Sequence, residues 1–241
     1  MSTPLPRWWM HDSGGLRYHF RALRYRGRLW RNFIDTLAAW QEAWHPPRQR
    51  LVVIGPSAGY CLSAGLLTRF EEVVALEPDQ LARGLLPRRF RGVRWRFDDI
   101  DCFAPGGLKA LAWHYPDAAL LFANVIGQRM DEANATGMRD ALREQLAGHH
   151  WASWHDVVST ARRPDQQLTA RLSQDLPLES LLARFWRGGE LPLVDHHTYR
   201  LMEGAAQYAL WPLTPRQHHL IEWAVHAPAA SGPSTAQAAD G

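Results

Sequence analysis

The chain has 241 residues, is 46% hydrophobic, and carries 27 Lys and Arg against 24 Asp and Glu. That size and composition fit one globular core with one decorated end, and the absence of any run of about 18 apolar residues argues against a membrane span. Two cysteines, Cys61 and Cys102, are too few and too far apart for a disulfide scaffold or a metal spacing, and read as small buried hydrophobes.

The first ten residues lack a basic head followed by a long apolar stretch, so no secretory signal is expected and a cytoplasmic protein is. Residues 1–50 hold nine arginines against Asp12, Asp35 and Glu42, which leaves the remainder of the chain net negative. The excess marks a solvated helical face or a surface for an anionic partner; nucleic acid is not the expected partner, because Lys109 is the only lysine and the arginine bias is that of a GC-rich coding sequence. Residues 1–45 read as helical, with Leu29, Phe33, Leu37 and Trp40 at helical spacing, and Pro46-Pro47 ends the segment. Trp8, Trp9, Trp30, Trp40 and Trp44 crowd this region, as lining for an aromatic acceptor or as apolar glue that docks a helix.

From Arg50 the pattern changes to strands alternating with helices. Strands are expected at 50–54, 72–76, 93–97, 118–123 and 151–158, with helices at 62–70, 81–90, 108–114, 138–146 and 178–187. Alternation of this kind predicts an α/β fold, doubly wound, with a mostly parallel sheet. Residues 207–213 and 219–225 are joined by a link too short for a crossover, so they predict an antiparallel finish. Residues 227–241 are rich in Ala, Ser, Pro and Gly and predict a disordered tail.

In such a sheet a ligand site lies beyond the carboxyl ends of the strands, so the turns after each strand are the informative residues. The first turn is Gly55-Pro56-Ser57-Ala58-Gly59, where glycine allows unusual dihedrals and a following helix would present free N–H groups. Glu77, with Pro78 beside it, follows the second strand eighteen residues beyond Gly59, placed to accept from both hydroxyls of a ribose. Asp98 and Asp99 follow the third strand and suit an exocyclic adenine amine or a helix cap. Asn124 follows the fourth and offers a donor and an acceptor to a reacting group.

The order Leu51–Tyr60, Leu76–Asp79, Asp98–Asp99 and Phe122–Gln128 resembles the Rossmann-like S-adenosylmethionine (SAM)-dependent methyltransferases over about residues 50–226. The resemblance implies SAM as cofactor, with its methionine end at Gly55, Ser57 and Gly59, its ribose at Glu77 and its adenine amine at Asp98 or Asp99. It also places Asn124 beside the transferred methyl. Two positions depart from the family pattern: Val53 stands where an acid is usual, and Ser57 where a glycine is. The implied activity is methyl transfer to a small molecule or modified peptide by a SAM-binding domain at 46–226; the pattern change at Pro46-Pro47, the arginines and the tryptophans make residues 1–45 an expected lid, and no H-x₃-H or C-x₂-C spacing appears, so no metal is expected. His155 and His196, each next to an aspartate, are the candidate bases, and His11-Asp12 is a third such pair. An NAD(P)-dependent oxidoreductase and a non-catalytic binding module are the competing readings.

Overall fold

The computed structural model describes residues 15–166, 169–172, 176–202 and 206–228. The expected tail from residue 229 onward, and Trp8, Trp9, His11 and Asp12 of the N-terminal segment, lie outside the described residues. The core is a nine-stranded sheet in the order β3-β2-β1-β4-β5-β9-β8-β6, with β7 paired to β5. The strands are β1 (Arg50–Ile54), β2 (Glu72–Leu76), β3 (Trp95–Asp98), β4 (Ala118–Ala123), β5 (Trp151–Thr160), β6 (Thr169–Leu172), β7 (Val194–Asp195), β8 (Ala206–Thr214) and β9 (Gln217–His226). The pairings among β1 to β5 are parallel, and those of β9 with β5 and of β8 with β9 and β6 are antiparallel. This is the doubly wound, mostly parallel α/β architecture with an antiparallel finish that the alternation predicts.

Parallel strands covered on both faces read as continuous apolar runs. Leu51 to Ile54, Val73 to Leu76 and all of β4 are buried. One face of the sheet carries α1 (Gly15–Tyr25), α2 (Arg31–Ala43), α3 (Ala64–Leu67) and α4 (Gln80–Arg89); the other carries α5 (Gly107–His114), α6 (Ala135–Gln145) and α7 (Leu178–Phe185). The chain breaks helix between α1 and α2, where the sequence predicts one continuous helical segment. The break spans residues 26–30 and contains Gly27; at its end Trp30 is fully buried and donates its indole N–H to the carbonyl of Leu213, 3.1 Å away. Phe33 stacks on Trp211 with ring centroids 5.2 Å apart, and Leu37 and Trp44 are buried in the same cluster. The tryptophans at 30 and 44 are therefore packing residues, and α2 is part of the core. Removing residues 1–47 would strip this face of the sheet of α1 and α2 and leave only α3 and α4 on it.

Two short strands, β6 and β7, went unforeseen: β6 lies at the edge, and β7 pairs with β5 over only two residues. The expected helix at 62–70 is also confined to Ala64–Leu67, with Ser63 as its N-cap. Among the described residues, no helix is long and apolar enough to cross a membrane.

Candidate functional site

Register brings the predicted residues into one row. Ile54 pairs with Leu76 on one side and Phe122 on the other, and Leu76 pairs with Asp98. The next residues of each strand, Gly55, Glu77, Asp99 and Ala123, therefore emerge at one level along the carboxyl edge. β1 sits between β2 and β4, so the chain reverses its direction of travel across the sheet there. A crevice is expected at that switch point, and a cavity of about 830 Å³ opens in it. Gly55, Ser57, Glu77, Pro78, Asp98, Asp99 and Asn124 all line it.

The turn after β1 is held by backbone geometry. Gly55 has φ of 66°, and a Cβ there would stand 2.0 Å from the Val125 side chain. A valine at 55 would therefore disturb the fold before it met any ligand. Gly59, expected at the ligand, does not line the cavity; its φ of 67° and the Phe90 ring 2.4 Å from a would-be Cβ give it a packing role. Ser57, at the position where glycine is usual in the resembled family, takes the left-handed conformation itself, with φ of 49°. Val53 is fully buried in the apolar cluster that includes α2 and α4, so an ionised acid there would lie unpaired among hydrocarbon.

Glu77 ties the loops together. Its Oε2 accepts from the Ser57 backbone N–H at 2.6 Å and its Oε1 from that of Asp79 at 2.9 Å. Each oxygen retains a lone pair. The side chain lies in a residue only 6% exposed, and burial pushes its carboxyl up to about 7 despite the two N–H donors. Arg83 donates to the Glu77 carbonyl and to Asp99, bridging the ends of β2 and β3. Asp98 accepts from the Tyr115 hydroxyl, which holds its carboxyl below the ordinary aspartate range despite partial desolvation.

Residues outside the sequence expectation complete the wall. Gly15 and Tyr18 of α1 reach the cavity, joined by Cys61, Cys102, Trp154 and Arg129. Both cysteines are buried, and burial pushes each thiol up to about 12. α1 is anchored by His19, whose Nδ1 lies 2.9 Å from the Tyr60 hydroxyl and whose Nε2 lies 3.0 Å from Asp79 Oδ2. Asp79 also caps α4 through its other oxygen. These partners are 41 and 60 residues from His19, so no local pattern announces them.

The two candidate bases fall elsewhere. Successive residues of a strand face opposite sides of the sheet, and His155, expected at the pocket rim, is turned away from Trp154 and the cavity. It is wholly buried between Ser153 Oγ, 2.8 Å away, and Glu222 Oε1, 3.4 Å away. His196, also expected at the substrate, does not line the cavity; it stacks on His219 with centroids 6.2 Å apart, and its Nε2 is 3.2 Å from Ser159 Oγ. Asn124 does face the cavity, in a left-handed conformation with φ of 56°. Asp156 grips its amide at both ends: the Asp156 N–H donates to Oδ1 at 3.0 Å, and Asp156 Oδ2 accepts from Nδ2 at 3.3 Å.

No protein-family model matches the chain, and no curated protein matches it. Similar solved structures include the N-methyltransferase NodS of Bradyrhizobium japonicum WM9 in complex with S-adenosyl-L-homocysteine, at 11% identity over 86% of this chain and 96% of that one, TM-score 0.44. DhpI in complex with SAH shares 15% identity over 85% of this chain and 92% of that one, TM-score 0.41. CalS10, an amino pentose methyltransferase from Micromonospora echinaspora solved with SAM, shares 18% over 88% and 99%, TM-score 0.38. The identity is low in each case, and the functional reading rests on the residues of the cavity itself.

Proposed function

We propose that this chain is a SAM-dependent methyltransferase acting on a small molecule or a modified peptide. The observation that carries the reading is the charge of the cavity wall. Glu77, Asp79, Asp98, Asp99 and Asp101 line it against two guanidiniums, Arg83 and Arg129. An acidic wall favours a ligand with a sulfonium and an ammonium, and opposes the pyrophosphate of a nicotinamide dinucleotide. A pyrophosphate also calls for a helix N-terminus at the glycine turn. Here the chain runs from Pro56 to Ser63 without helix before α3 begins. These two features support SAM over the oxidoreductase reading.

The residues fit the group in detail. The lone pairs left on Glu77 serve two ribose hydroxyls, Asp98 or Asp99 serves the adenine amine, and Ser57 and Gly55 border the methionine end. When bound, SAM supplies a methyl group already activated on sulfur. The protein's part is to orient the acceptor and exclude water. Among the described residues no histidine lines the cavity, so the reading assigns orientation to Asn124 and to Tyr18, whose hydroxyl burial keeps protonated. An acceptor with a free lone pair or a carboxylate needs no added base. In this reading residues 46–226 form the cofactor domain, α1 closes over the acceptor through Gly15 and Tyr18, and α2 stays with the core.

Calorimetric titrations with SAM and with NADH test the assignment. SAM is expected to bind one per chain and NADH not at all. Binding of NADH in place of SAM would transfer the chain to the oxidoreductases, and binding of neither would leave a non-catalytic module.

A further inference from the structure

Behind Asn124, outside the cavity, three side chains from separate parts of the chain converge: Asp156 of β5, His196 just after β7, and His219 of β9. One potential ligand atom from each lies within 4.8 Å of the others. The strand geometry that achieves this is specific. Asp156 and Ser159 are three residues apart and would face opposite sides of a regular strand. A bulge between Asp156 and Val158 inserts one residue, so Asp156 pairs with Ile221 and Ser159 with His219, all on the face that carries α1 and α2. His196 is brought in by its backbone N–H, which donates to the Val157 carbonyl at 3.0 Å.

Among the described residues one nitrogen of this cluster is left without a partner. His219 is 6% exposed; its Nδ1 is 3.0 Å from Asp156 Oδ1, while its Nε2 is buried and has no hydrogen-bond partner among the described residues. An imidazole has one nitrogen to donate and one to accept, and a buried nitrogen with no partner is costly. Asp156 is equally buried, and a carboxylate there calls for positive charge beside it.

We propose that Asp156, His196 and His219 bind a divalent transition-metal ion of the zinc class. Two imidazoles and one carboxylate, with a position left for water, are the donor set such an ion takes. Atoms 4.8 Å apart at most put an equidistant ion about 2.8 Å from each, roughly 0.7 Å beyond a bonded imidazole nitrogen. With His219 Nδ1 held 3.0 Å from Asp156 Oδ1, its partnerless Nε2 is the nitrogen left for an ion, and His196, half-buried with its Nε2 3.2 Å from Ser159 Oγ, exchanges that contact to close the set. Because Asp156 also grips both ends of the Asn124 amide, an ion here would fix that side chain at the cavity wall. The site stands on its own geometry and does not require the SAM reading.

The test titrates Co²⁺ alone into chelator-treated protein free of added histidine tags, following absorbance and thermal midpoint, with SAM binding measured on the same sample. One Co²⁺ per chain is expected, with the visible spectrum of a four-coordinate nitrogen and oxygen site and a raised midpoint. His196→Ala leaves the Asp156–His219 pair in place, and is expected to weaken Co²⁺ binding more than about tenfold. The chain has twelve histidines, so His45→Ala and His114→Ala, both exposed, serve as controls and should bind as wild type does. No binding by wild type, equal binding by His196→Ala, or loss in the controls would overturn the proposal. Co²⁺ binding without SAM binding would leave it intact and refute only the methyltransferase reading.

Discussion

Glu77 is the residue on which both the cofactor reading and the local structure depend. Glu77→Gln keeps its shape but not its chemistry. The carboxylate accepts from two backbone N–H groups, and an amide has one oxygen, so its NH₂ must face either Ser57 or Asp79 donor to donor. Losing one charge-assisted bond costs roughly 1.5–3 kcal/mol. Against this stands the charge itself. Burial raises the carboxyl from 4.5 to about 7, so the folded protein holds a proton that the unfolded chain has released. A raised acid makes the native state most stable at low pH and costs stability as pH rises from 4.5 to about 7, with little change above. Between pH 5 and pH 8 the wild type should lose on the order of 2–3 kcal/mol through this one group, since each unit of pKa difference is worth about 1.4 kcal/mol. The variant lacks that slope. Ligand hydroxyls bind the ionised form, which is roughly a tenth of the population at pH 6 and nine tenths at pH 8. SAM affinity should therefore fall about tenfold from pH 8 to pH 6 in the wild type. The variant should bind more weakly at pH 8, and only the ligand's own titration should remain in its profile. Calorimetry at both pH values, with urea unfolding alongside, measures both effects. Equal pH slopes in the two proteins, or an unchanged dissociation constant in the variant, would refute the role of Glu77.

Ser57 holds a left-handed conformation that costs an L-residue roughly 1–2 kcal/mol. Ser57→Gly relieves that strain but adds freedom to the unfolded chain, so a net gain of up to about 1 kcal/mol is expected in urea unfolding; a loss larger than that would mean that the hydroxyl matters. His19→Phe removes the links from α1 to Tyr60 and Asp79. It should cost about 1–3 kcal/mol of stability and weaken SAM binding through the loosened cavity wall. A folded variant with wild-type affinity would separate α1 from the cofactor site.

The sequence alone determined the parallel core. Val- and Leu-rich runs at 51–54, 73–76 and 118–123, each stopping at a glycine, a glutamate or an asparagine, carry their own boundaries, because a strand buried on both faces has to be apolar throughout. The same property made Gly55, Glu77, Asp98, Asp99 and Asn124 legible, since parallel strands of similar register must end together. What depended on contacts between distant segments was not legible. At the break between α1 and α2, Trp30 reaches Leu213, 183 residues away. His19 meets partners that no spacing rule connects to it. His155 and His196 looked alike on paper, each beside an aspartate, yet strand alternation buried the first on the far face while a bulge in β5 and the docking of β7 drew the second to Asp156 and His219. Neighbours in sequence share a peptide bond, but only the sheet decides which way their side chains point, and so which of them can do chemistry together.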